Sequence, residues 1–163
     1  MYKRQDLSLP DFHLAILPYD VPNSREEALF SAPWCAAVAL ATGACVSWDF
    51  TPEGIAREDI RALTARTTAK PRKPINPKIN LDPSDPDTVT VTLADGSQET
   101  AAIDLWTGAP GKDLSREKLR AKFDDNCSVA DLDIAKTSNL AEVLCNLSSA
   151  KSINGLMQSL NEL

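Results

Sequence analysis

His13 is the single histidine of this 163-residue chain. Any Ser/His or Cys/His nucleophilic arrangement would have to use it. It stands in DFHLAILPY, whose bulky residues between Pro10 and Pro18 predict a β-strand near 11–18. A histidine packed on such a strand does not make a self-contained acid/base centre, so no residue is assigned as catalytic. The four cysteines, Cys35, Cys45, Cys127 and Cys145, show no CxxC spacing and no neighbouring His, which argues against zinc. Two of them fall on apolar helix faces, where a free thiol behaves as a small hydrophobe.

Charged clusters are the next candidates. Lys70, Arg72, Lys73 and Lys78 alternate with Pro71, Pro74 and Pro77, which reads as a solvated basic loop. Asp124–Asp125 and Asp131/Asp133 suit helix starts, where carboxylates complement the dipole, better than a metal site. LDPSDPD at 81–87 lacks EF-hand spacing and reads as a solvated loop. GAPG at 108–111 lacks the strand, Lys and helix of a phosphate loop. No metal and no cofactor are expected.

These residues need elements to hold them. FSAPWCAAVALATG begins with Ser31 as helix cap and Pro33 in the first turn, and it ends at Gly43, the residue that favours a left-handed C-terminal turn. A helix over 32–42 follows, apolar on nearly every side and therefore buried, with small alanines that allow close approach. Residues 51–67 predict a turn and a helix with Ile60 and Leu63 inward. Val89, Val91 and Leu93 alternate with threonines up to Asp95-Gly96, so 87–93 and 98–104 form a β-hairpin. Ser115 caps a helix bearing Leu119 and Phe123, and the chain beyond 128 reads as helical to its end. Its apolar stripes are Leu132, Leu140, Val143, Leu144, Leu147 and then Ile153, Leu156, Met157, Leu160. The expected class is α+β, a small antiparallel sheet with packed helices followed by C-terminal helices.

A 43% hydrophobic and 25% charged composition is that of a globular protein with a real core. A net charge of −6 and a pI near 4.8 argue against nucleic acid as a partner. The apolar runs are too short to cross a bilayer, and the cysteine usage fits a reducing, cytoplasmic setting.

EEALFSAPWCAAVALATG, VTVTLADGSQETAAI and GAPGKDLSREKLRAKFDDNCS, taken in order, resemble the C-terminal part of the MmgE/PrpD family. That family contains 2-methylcitrate dehydratase, cis-aconitate decarboxylase and iminodisuccinate epimerase. The resemblance implies a two-domain enzyme, an all-helical domain with a smaller α+β lid, of which this chain carries the lid and the returning helices. The implied organisation is a non-native or disordered tail at 1–8, a lid at 9–127 and C-terminal helices at 128–163. It implies a cofactor-independent lyase acting on a small di- or tricarboxylate, inactive without the missing N-terminal helical domain and homodimeric when complete. The family's acid/base residues lie largely upstream, and His13 matches none of its catalytic histidines. Alignment through Ser31 and Gly43 puts Trp34 where the decarboxylase carries a substrate-facing Tyr. Ser31 and Trp34 are therefore the candidate substrate-binding residues, against the plainer readings of helix cap and core. Trp offers an N–H but no hydroxyl, which favours a pocket wall over proton transfer. The competing reading is a non-catalytic binding or interaction module, which the absent acid/base pair favours. In either case the apolar helices should leave exposed hydrophobic surface.

Overall fold

The computed structural model describes residues 2–79 and 82–161. Asn80 and Leu81, which includes the first residue of the acidic stretch, lie outside it, as do Met1 and the last two residues. By its internal contacts the chain divides into two units, Met1–Cys45 with Asp49–Asp113, and Val46–Trp48 with Leu114–Leu163. The division precedes the helix Arg116–Val129, whereas the sequence reading placed that helix with the sheet.

The first unit is built on a four-stranded sheet of order β2-β1-β3-β4. Strand β1 is Tyr2–Pro10 and pairs with β3, Asp87–Leu93. Its other neighbour is β2, Thr67–Arg72, to which it runs parallel. Strand β4, Gln98–Ile103, completes the hairpin with β3. The sheet is thus mixed rather than purely antiparallel. Parallel neighbours require a long crossover, and residues 11–66 provide it.

Three expectations are corrected here. Residues 2–8 are no disordered tail but part of an inner strand, with Gln5 and Leu7 buried beneath the exposed Lys3 and Arg4. The segment expected as a strand at 11–18 instead opens with a helical turn, α1, Asp11–Leu14. Pro10 has no N–H to continue a ladder, and Asp11 suits a first helical turn. The proline-broken basic stretch is half strand: β2 lies at the sheet edge, where Pro71 is tolerated because its missing N–H faces away from a partner.

The crossover carries α2 (Arg25–Leu29), α3 (Ala32–Thr42), α4 (Pro52–Ile55) and α5 (Glu58–Thr64). Helix α3 has the expected bounds, and Gly43 adopts φ 84°, a left-handed turn. One face of α3 buries Trp34, Ala37 and Val38 against Ala28, Ile55, Ile60 and Leu63. The other face does not close on its neighbours. Ala36 and Ala39 are too short to fill the space over Leu7, Leu9, Val89 and Val91, which leaves an apolar groove of about 320 Å³. Gln5 Nε2 donates to Thr67 Oγ1 (3.0 Å), which donates to Leu63 O (3.0 Å) and ties both inner strands to α5.

The second unit holds α6 (Arg116–Val129), α7 (Ile134–Cys145) and α8 (Asn154–Asn161). Ser115 caps α6 by accepting from Lys118 N, and Asp133 caps α7 through Ala135 N and Lys136 N. The apolar stripes are largely open: Leu140 is buried, but Leu144 is 41% and Ile153 62% exposed. Among the described residues no helix is long and apolar enough to cross a membrane.

Candidate functional site

Ser31 closes the loop before α3 and is fully committed there. Its Oγ accepts from Trp34 N (3.1 Å) and donates to Asp20 O (2.8 Å), with only 1% of the residue exposed. Trp34 follows at 0% exposure, inside the α3–α5 core. Its backbone is satisfied by the cap, yet its indole N–H has no hydrogen-bond partner among the described residues. A buried donor without a partner is uncommon and costs about 1–3 kcal/mol. The two candidate residues are therefore adjacent parts of one buried helix start, and neither lines the described cavities.

The cations nearest the sheet edge are neutralised by their own fold. Lys70 pairs with Asp6 at 2.8 Å, and Asp6 also meets Arg4 at 2.8 Å. The hydrogen bond from Lys70 holds the Asp6 carboxyl below its ordinary value, with Arg4 adding to it. Arg72 is pinned between Asp85 and Asp87 and donates to the Asp85 and Pro86 carbonyls at 2.8 and 3.2 Å. Asp85 is lowered first by the Ile75 N–H and then by Arg72. Lys73 meets Asp11 at 2.5 Å and lowers that carboxyl. The 70–78 stretch and the 82–87 acids, both expected as solvated loops, thus neutralise part of one another. Lys78 has no ion pair among the described residues.

His13 sits in α1, its ring edge-on to Phe12 with centroids 4.3 Å apart. The small cleft beside it is lined by Ile103, Trp106 and the carboxylates Asp82, Asp85, Asp87 and Asp104, with no Ser or Cys. The acids of the second unit are likewise structural. Asp124 pairs with Arg120 (2.8 Å) and Asp125 accepts from Ser47 N (2.8 Å), both from within α6 rather than at a helix start. Asp131 takes the left-handed turn between α6 and α7 at φ 55°. GAPG forms a tight turn in which Gly108 N donates to Lys112 O at 2.7 Å. Among the described residues no cluster of three or more His, Cys, Asp or Glu could hold a metal ion. One association escaped the sequence reading: the thiols of Cys35 and Cys45 hydrogen-bond each other.

What these contacts define is an α+β module whose polar side chains serve its own fold, with one buried donor left over at the head of a helix. The chain belongs to the MmgE/PrpD family: the model of the MmgE/PrpD C-terminal domain matches residues 7–144. It is also 32% identical over 129 residues to cis-aconitate decarboxylase of Mus musculus, a match that covers 75% of this chain. The match spans 24% of that relative's length.

Proposed function

We propose that these residues are the C-terminal portion of a cofactor-independent lyase that dehydrates or decarboxylates a small di- or tricarboxylate. The observation that carries this reading is the C-terminal-domain match over residues 7–144, joined by the likeness to a cis-aconitate decarboxylase. Such a reaction removes a proton beside a carboxylate and expels water or carbon dioxide. It needs a positioned base, an acid and donors for the substrate's carboxylates. His13 lies against Phe12, and Lys70 and Arg72 are held by carboxylates. The acid/base pair is accordingly assigned to a helical N-terminal domain, and the working enzyme to a cytoplasmic homodimer. The epimerase branch shares the proton-abstraction step and belongs to the same proposal.

Within that enzyme, Ser31 fixes the start of α3 and Trp34 forms the wall behind the substrate. The unpartnered indole N–H supports this role, because a carboxylate oxygen reaching it on local opening would satisfy it. The test is Trp34→Phe in the whole protein, which removes the N–H and keeps the aromatic bulk. A raised KM for cis-aconitate or 2-methylcitrate is expected. An unchanged KM with lowered stability would return Trp34 to the core alone.

A second reading, a non-catalytic interaction module, draws on the open groove over β1 and β3. Product formation by the whole protein from either acid would exclude it.

A further inference from the structure

Cys35 and Cys45 stand ten positions apart and share no sequence motif. Cys35 lies one turn into α3, half-buried against the core, with its Sγ 3.9 Å from Ala28 O. Cys45 lies just beyond the helix and is exposed. The left-handed turn at Gly43 joins them, reinforced by Thr42 Oγ1 contacts to Val38 O (2.9 Å) and Ala44 O (2.6 Å). The chain leaving α3 thereby turns back, and the Cys45 thiol reaches the Cys35 sulfur. Residues 43–45 are exposed, and no atom lies within 4 Å of a Cβ position at Gly43, so there is room for adjustment. The other two cysteines, Cys127 and Cys145, belong to the second unit.

We propose that Cys35 and Cys45 form a dithiol site that reacts with small disulfide oxidants and closes to an intramolecular disulfide. The Cys35 thiolate attacks one sulfur of an external disulfide and expels one thiolate, giving a mixed disulfide. Cys45 then loses its proton to solvent and attacks the Cys35 sulfur, forming the Cys35–Cys45 bond and expelling the second thiolate. The two protein thiols lose two protons and two electrons, and the external disulfide is reduced to two thiols. The hydrogen bond from Cys45 lowers the Cys35 pKa and marks it as the first nucleophile, while the same bond and burial push Cys45 up. Closure draws the sulfurs to about 2.0 Å, a movement the Gly43 turn can supply. The bond would tether the segment after α3 to the residue beside Trp34.

The experiment treats the reduced, folded chain with glutathione disulfide, quenches with an alkylating reagent and digests with trypsin. Residues 26–57 contain no internal Lys or Arg and carry Cys35 and Cys45 alone. That peptide should lose two hydrogen atoms and resist alkylation, about tenfold faster than Cys127 or Cys145 acquires glutathione. Cys45→Ser, at an exposed position, should abolish the internal bond and leave glutathione on Cys35. Stable glutathione on Cys45 without ring closure would overturn the proposal. Equal consumption of all four thiols, or linkage to Cys127 or Cys145, would also overturn it.

Discussion

Replacing Ser31 with Ala should cost about twice what the same change costs at Ser24. Ser24 caps α2 through one accepted bond from Glu27 N at 3.2 Å. Loss of such a cap is worth about 1 kcal/mol. Ser31 accepts an equivalent bond from Trp34 N and also donates to Asp20 O. Its removal strands the buried Trp34 N–H as well as the Asp20 carbonyl, adding about 1 kcal/mol for a total near 2 kcal/mol. Against the ~5–15 kcal/mol of a folded domain this is easily measured. Urea unfolding of the wild type and the two variants, followed by far-ultraviolet circular dichroism, gives the comparison, with unchanged slopes reporting an unchanged unfolding transition. A Ser31→Ala midpoint no lower than that of Ser24→Ala would refute the argument that Ser31 is a structural cap using both its donor and its acceptor.

Gly43→Ala places a β-carbon at φ 84° and should destabilise by about 1 kcal/mol, with Gly43→Asn milder, as read from the same unfolding curves. Trp34→Ala empties the α3–α5 core and should cost about 3–5 kcal/mol, so loss of a cooperative thermal transition is expected by calorimetry. Asp6 and Asp85 both have folded-state pKa values below 3.8. Their stabilisation is complete above that value and is lost as pH falls through the lower folded values. Asp85→Asn should therefore be less stable than the wild type at neutral pH and converge with it on acidification, measured by unfolding midpoints across pH 2–6, a span of about two units either side of the reference carboxylate value.

The elements legible in the sequence are those set by neighbouring residues. Ser31, Pro33 and Gly43 mark the bounds of α3, and the Val/Thr alternation around Asp95-Gly96 marks the hairpin. Strands β1 and β2 were hidden because their evidence is non-local. Gln5 and Thr67 are 62 positions apart, and only their pairing turns a charged start and a proline-broken stretch into strands. The same pairing explains why Lys70 is held by Asp6 instead of standing in a loop. At the candidate site, Ser31 and Trp34 were visible as residues, but whether they were core or wall was not. Burial and the unpartnered indole N–H emerge only once α2 and α5 close around them. The Cys35–Cys45 contact was equally hidden, since it depends on the direction in which the chain leaves Gly43.

The central claim is that these residues complete a carboxylate lyase without containing its acid/base pair. The most direct measurement is proton NMR of cis-aconitate and of 2-methylcitrate incubated with the purified 163-residue chain, with a His13→Ala variant alongside. The account predicts that product appears no faster than in buffer and that the variant behaves identically. Sustained turnover by the chain, lost on His13→Ala, would contradict it.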